Sequence, residues 1–159
     1  ALMATHGGSA YERELELYSA HHAHPANWAL HCFCVPLEWL SFLIVLSASP
    51  LAWLRPAWVA QGGLAAYIAH LNPPATQVAA GGMLVLAWLA ERVTAALCTP
   101  LRRLAAAAGI WIFSWTVQVP IGHWLIEQNQ PSMTQALSMH SVLFSVPMAW
   151  DWTERPERA

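Results

Sequence analysis

The sequence predicts an all-α membrane protein: a polytopic bundle of four to five membrane helices preceded by an amphipathic helix at the N-terminus. Three observations favour this class. Hydrophobic residues make up 57% of the 159 residues and charged residues only 10%, whereas roughly a quarter of a typical soluble domain is charged. Several apolar runs approach or reach the length that crosses a bilayer. Several of the ten tryptophans lie near the ends of these runs, where tryptophan anchors membrane helices at the interface.

The first predicted element is an amphipathic helix over 11–22 that lies at the membrane surface. One side of it carries residues at helical spacing, namely Tyr11, Leu15, Tyr18 and His22. Pro25 disfavours helix at the preceding residue and suits a first helical turn, so a second helix is predicted to begin there. The histidine-rich segment between the two helices, 21–24, is therefore predicted to be a bend.

Five apolar runs follow, at 35–54, 58–71, 78–97, 105–126 and 136–152. Pro36 and Pro50 interrupt the first run and the second is short, whereas the third is long enough to span a hydrocarbon core of about 30 Å. Small residues are frequent in the second to fourth runs, which permits close helix packing. We expect 11–152 to form a single membrane helical domain, between a flexible N-terminus over 1–10 and a polar tail over 153–159.

Charge and motifs exclude several functions. The net charge is −2, with seven arginines and no lysine, so nucleic acid is not an expected partner. If five segments span the membrane, the positive-inside rule places six arginines on the cytoplasmic side and the histidine-rich bend and His123 together on the other. The three cysteines lack CxxC spacing and support neither a disulfide framework nor a zinc ribbon. Phosphate-binding loops, dinucleotide-binding motifs and nucleophile elbows do not occur.

Histidines near the ends of two apolar segments are the candidate metal ligands. His31 follows Asn27 by four residues, so a helix places both on one face. The predicted bend can fold His22 back toward His31. His123 precedes Glu127 by four residues in an apolar run, where an ionisable pair is expensive to bury without a function. Because imidazole is the commonest protein metal ligand, we predict a metal site on His22, His31 and His123.

Further candidates for the same site are His21, His24, His70 and His140. Three interpretations of Glu127 stay open: a metal ligand, a group that orients an imidazole, or a carboxylate at a helix end. Histidines with one carboxylate and open positions suit Fe(II), which activates dioxygen, better than the thiolate-rich sites of structural zinc. The spacing alone does not exclude zinc.

Two motifs carry a resemblance, Tyr18-x3-His22-x4-Asn27-x3-His31 with Pro36 after it, and Gln118 with Gly122-His123-x3-Glu127 and Pro131. From about Tyr11 to Asp151 the chain resembles the yeast 2-hydroxy fatty acid dioxygenase family, small membrane proteins long classed as a domain of unknown function. The resemblance implies an Fe(II)-dependent enzyme of fatty acid alpha-oxidation that uses dioxygen to shorten a 2-hydroxy fatty acid by one carbon. His22, His31 and His123 would occupy the family's histidine positions. The chain departs from the family by one extra residue between Gln118 and Gly122, with Pro120 as the insertion.

The resemblance also implies the partners, which are a 2-hydroxy fatty acid or related lipid, dioxygen and membrane lipids. The protein is then expected to be integral to a membrane, the inner membrane in a bacterium or the endoplasmic reticulum in eukaryotic relatives. A 2-hydroxy acid can chelate iron through its carboxylate and hydroxyl. We expect Asn27 and Glu127 to assist catalysis beside the metal, Asn27 by hydrogen bonding to the carboxylate or to a ligand imidazole. The alternatives are a zinc-dependent membrane hydrolase, a non-catalytic lipid-binding or scaffold protein, and a bis-histidine heme protein.

Overall fold

The computed structural model describes residues 21–49, 51–71 and 73–131. All secondary structure in these ranges is helical, which confirms the predicted all-α class. The elements are α1 Pro25–Ser47, a short 3-10 helix Ala52–Leu54, α2 Pro56–Leu71, α3 Pro73–Ala96, α4 Pro100–Thr116 and a π-helical segment Val117–Glu127 that continues α4. The predicted N-terminal amphipathic helix, apart from its last two residues, and the fifth apolar run lie outside the described residues.

Proline sets where the helices begin. All four α-helices in the described ranges have proline as their first residue, namely Pro25, Pro56, Pro73 and Pro100. Proline suits this position because its missing N–H would have no partner within the helix anyway and its φ angle is already helical. The predicted helix start at Pro25 is therefore confirmed. Residues 21–24, the histidine bend, precede it in a non-helical conformation.

The interruption predicted at Pro36 is absent, because α1 continues through this residue to Ser47. A proline inside a helix removes a single backbone donor, and neighbouring helices can stabilise the turns on either side of it. In α1 those turns are packed, with Val35 and Leu40 both buried. Tertiary packing therefore outweighs the local preference of Pro36.

The core lies where α1 meets the other helices. Its buried members are Leu40, Leu43 and Ile44 of α1, Ala57 of α2, Ala90 of α3 and Ala107 of α4. The alanines let the helix backbones approach closely. Gln61 of α2 is fully buried. Its amide donates to the Met83 carbonyl of α3 at 2.7 Å and accepts from the Trp39 indole of α1 at 2.6 Å, so a satisfied polar contact joins three helices.

Two of the described helices are long and apolar enough to cross a membrane, Pro25–Ser47 and Pro100–Glu127. The two helices meet this criterion by their length and amino-acid composition alone. It accounts for two of the four to five spans that the sequence predicts. Large apolar side chains on both helices face outward, with Phe33 62% exposed and Leu125 71% exposed, as expected of surfaces that contact lipid.

The end of the second span is wound as a π-helix over Val117–Glu127, and Pro120 lies inside it. A π-turn holds one residue more than an α-turn. π-helical turns are rare and occur frequently at functional sites. Gln118, Gly122 and His123 are the buried residues of the segment. Gln128 ends it in a left-handed conformation, with φ of 54°, and donates its N–H to the His123 carbonyl.

Candidate metal centre

His22, His31 and His123 meet in one buried cluster, which we call the histidine triad. The three side chains are 6%, 5% and 3% exposed. One nitrogen from each ring lies within 4.8 Å of the others, and the ring centroids are 4.3 to 5.1 Å apart. The triad forms because the N-terminal end of α1 lies against the C-terminal end of the π segment. His22 is in the histidine bend, His31 in the second turn of α1 and His123 in the π segment.

The orientation of His31 is fixed by its own helix. Its Nδ1 lies 3.0 Å from the Asn27 carbonyl oxygen. A carbonyl can only accept, so Nδ1 carries the proton and the lone pair is left on Nε2. In metal sites a histidine ligand commonly donates its second nitrogen to a carbonyl in this way, which fixes the tautomer and orients the ring.

His123 has a buried nitrogen that the described residues leave without a hydrogen-bond partner. Its Nδ1 has no hydrogen-bond partner among residues 21–49, 51–71 and 73–131. A buried polar atom without a partner costs about 1–3 kcal/mol, and a metal ion bound at Nδ1 would remove that cost. Ligand nitrogens about 2.1 Å from one ion lie roughly 3–4 Å apart, so small ring rotations bring the triad onto one ion. The donor set therefore fits a three-histidine metal site.

Glu127 lies beside the triad but is outside the group of mutually close ligand atoms. Its Oε1 accepts from the backbone N–H of Ala23 at 2.8 Å, and both carboxylate oxygens lie 3.1 Å from the N–H of His24. Its Oε2 also accepts from the side-chain amide of Asn27 at 3.0 Å. The structure thus places the Glu127 carboxylate against the histidine bend and the first turn of α1.

Asn27 is fully buried between Glu127 and the triad. The bond to Glu127 fixes its amide orientation, because a carboxylate accepts and only the Nδ2 atom can donate. Its Oδ1 is left buried, without a hydrogen-bond partner in the part of the chain that the structure describes. A side chain at Gly122 would collide with this Oδ1 and lie 3.6 Å from Cε1 of His31. Glycine at 122 therefore allows the π segment to approach α1 at the site.

The other candidate histidines are placed as follows. His24 is exposed and caps α1, its Nδ1 accepting from the Ala26 N–H at 3.2 Å. His21 is partly buried in the histidine bend. The side chain of His70 and the whole of His140 lie outside the described part of the structure. Neither His21 nor His24 belongs to the group of mutually close ligand atoms.

Sequence reasoning missed one polar pair near the site. The Gln118 amide in the π segment donates to Oε1 of Glu38 in α1 at 2.8 Å and to the Ser114 carbonyl at 3.3 Å. Glu38 follows His31 by two helical turns and lies on the same face of α1. A carboxylate inside an apolar helix seven residues from a predicted ligand was the available signal, since such groups are expensive in a membrane helix.

A family described as 2-hydroxy-palmitic acid dioxygenase Mpo1-like matches residues 9–155. The match includes all three members of the histidine triad, together with Asn27 and Glu127. No curated protein and no solved structure matches the chain.

Proposed function

Since the chain belongs to the Mpo1-like family, described as 2-hydroxy-palmitic acid dioxygenase, we propose that it is a membrane-bound, Fe(II)-dependent dioxygenase that shortens 2-hydroxy fatty acids by one carbon. The observation that carries the proposal is the buried histidine triad, with ligand atoms within 4.8 Å of one another. A polar cluster of this kind between two apolar helices needs a function, because ionisable groups are expensive there. Binding a catalytic metal provides one.

His22, His31 and His123 would hold the metal through neutral imidazole nitrogens. Imidazole suits iron and zinc alike, and three protein ligands leave coordination positions open for substrate. When bound, iron would supply a redox-active Lewis acid on which the 2-hydroxy acid and dioxygen meet. The choice of iron over zinc rests on the dioxygenase description of the family.

The proposed reaction balances without an organic cosubstrate. The bond between C1 and C2 of the 2-hydroxy acid breaks, C1 leaves as carbon dioxide and C2 becomes the new carboxyl carbon. This oxidation removes four electrons from the acid, and one dioxygen accepts them. One oxygen atom's worth of the balance leaves as a released water molecule. No nucleotide or dinucleotide motif is required, and none is found in the sequence.

Asn27 is proposed to receive the substrate hydroxyl. Nδ2 donates one of its two hydrogens to Glu127, and the main-chain carbonyl is bonded to His31. The buried side-chain atom without a partner among the described residues is the acceptor Oδ1, and we propose that a ligand binds there. An acceptor repels a carboxylate and binds a donor. The 2-hydroxyl is the donor that distinguishes this substrate from an ordinary fatty acid. Asn27 is therefore expected to select for the hydroxyl group.

Replacing Asn27 with alanine is expected to weaken binding of 2-hydroxypalmitate by about three- to tenfold, the value of one neutral hydrogen bond. Binding of palmitate, which lacks the hydroxyl, is expected to change less. Dissociation constants of both acids, measured without dioxygen on wild type and variant with equal metal content, provide the comparison. An equal loss for the two acids would show that Asn27 does not recognise the hydroxyl.

Metal content of protein purified in detergent without chelators, measured by plasma mass spectrometry, tests the proposal. We expect near-stoichiometric iron and oxygen uptake on addition of 2-hydroxypalmitate. Stoichiometric zinc with no oxygen uptake would favour a zinc-dependent hydrolase. Protein without bound metal would favour a lipid-binding or scaffold role, and a Soret band would favour heme.

A further inference from the structure

We propose that Glu127 is a positioning residue that docks the histidine bend onto the π segment and thereby places His22 in the triad. The inference rests on the proposed function, since it assigns a role within the same metal site. Glu127 acts through the backbone of the bend and does not itself bind the metal.

The contacts of the Glu127 carboxylate with the histidine bend lie directly after His22 in the chain. The N–H of Ala23, directly after His22, donates to Oε1 at 2.8 Å, and the N–H of His24 lies 3.1 Å from both oxygens. These residues are 104 and 103 positions from Glu127 in the sequence. The bend has no helical hydrogen-bond ladder of its own. Contacts from a distant segment therefore fix the backbone that carries the His22 side chain.

Glu127 is poorly placed with respect to its own helix. It is the last residue of the π segment, and a negative charge at a helix C-terminus is unfavourable. The same carboxylate faces the N-terminal end of α1, where N–H groups lack helical partners and a negative charge is favourable. Hydrogen bonds from N–H groups to a carboxylate are also stronger than neutral ones. The Glu127 carboxylate is therefore stabilised by the N-terminal end of α1 and not by its own helix.

Both oxygens of Glu127 are already engaged by N–H donors, and the Asn27 amide adds one more. A carboxylate that bound the metal directly would give up some of these bonds. His31 is held separately, by the main-chain carbonyl of Asn27, so the docking role of Glu127 concerns His22. Glu127 thus has the role of a residue that positions a metal ligand through hydrogen bonds without binding the metal.

A double-mutant cycle with Co²⁺ as the probe tests this role. In detergent, Glu127→Ala is expected to lower Co²⁺ affinity by roughly 10–100-fold. His22→Ala is expected to lower it further, because it removes a ligand, and both variants should change the visible Co²⁺ spectrum. The double variant is expected to bind within about twofold of His22→Ala, because groups acting through one another are not additive. Additive losses, or an unchanged affinity of Glu127→Ala, would overturn the proposal.

A metal-independent readout separates this inference from the proposed function. Modification by diethyl pyrocarbonate, followed at each histidine by mass spectrometry, is expected to be slow at His22 and His123 and fast at exposed His24. In Glu127→Ala the rate at His22 should rise toward that of His24 while His123 stays slow, which excludes general unfolding. If modification of His22 stays slow in Glu127→Ala, the proposed docking role of Glu127 is wrong. Wild-type protein that binds no Co²⁺ would instead contradict the proposed function, whatever the labelling gives.

Glu91→Ala is the matched control. Glu91 lies on α3, with its carboxylate 3.9 Å from the Arg55 side chain, so its loss should leave His22 labelling and Co²⁺ affinity unchanged. Should Glu127→Ala fail to fold, Glu127→Gln retains the side-chain length and one acceptor oxygen. The glutamine variant is expected to show intermediate labelling of His22, and wild-type labelling in it would also overturn the proposal.

Discussion

Replacing either His31 or His123 with alanine is expected to remove bound metal and reduce turnover to background. Each variant leaves only two imidazoles in the triad. The loss of metal affinity should therefore exceed the roughly 10–100-fold that is typical when a residue that hydrogen-bonds to a ligand is changed. Both side chains are buried in the triad, and an alanine there offers no substitute ligand. Metal content and oxygen uptake with 2-hydroxypalmitate provide the two measurements.

His24→Ala is the matched control for these variants. His24 belongs to the same histidine-rich segment but is exposed, and its ring caps α1. Its removal should cost about 1 kcal/mol of helix stability and leave the metal in place. If His24→Ala lost metal while His31→Ala or His123→Ala retained it, the ligand assignment would be wrong.

Gly122→Ala is expected to disrupt the site although it adds a single methyl group. The new Cβ would collide with Oδ1 of Asn27, so either Asn27 or the π segment must move. The Asn27 side chain is bonded to Glu127, which holds the histidine bend, and the π segment carries His123, so either displacement reaches the triad. We expect a loss of about 1–3 kcal/mol in the free energy of unfolding, as for other overpacked sites, and at least a tenfold loss of metal affinity.

Gly109→Ala is the control for this steric effect. Gly109 lies in α4, and a Cβ added there meets nothing within 4 Å. Because alanine is a better helix former than glycine, the change should stabilise the helix by up to about 1 kcal/mol. Thermal unfolding in detergent and metal content distinguish the two variants. If Gly122→Ala behaved like Gly109→Ala, the close approach of the π segment to Asn27 would be refuted.

Local rules in the sequence predicted the parts of the fold that depend on a few neighbouring residues. Proline at position 25 indicated both the start of α1 and the bend before it. Helical spacing placed Asn27 and His31 on one face. These signals suffice because each operates within about one helical turn.

Contacts between distant segments decided the rest. Pro36 does not interrupt α1, since packing on both sides stabilises the helix. The sequence left three roles open for Glu127, because its hydrogen-bond partners lie about a hundred residues away. Glu38 was passed over for the same reason, as its partner Gln118 is 80 residues distant. Of the predicted membrane spans, two helices in the described ranges have the required length and apolar character.

Reconstitution with Fe(II) followed by a stoichiometric turnover measurement tests the central claim most directly. Metal-free protein in detergent would be loaded with Fe(II) or Zn(II) without oxygen, and then given 2-hydroxypalmitate and ¹⁸O₂. The account predicts one dioxygen consumed for each acid one carbon shorter, with ¹⁸O in the new carboxylate, in the iron-loaded protein only. Product formation by the zinc-loaded protein, or no oxygen consumption by the iron-loaded protein, would contradict it.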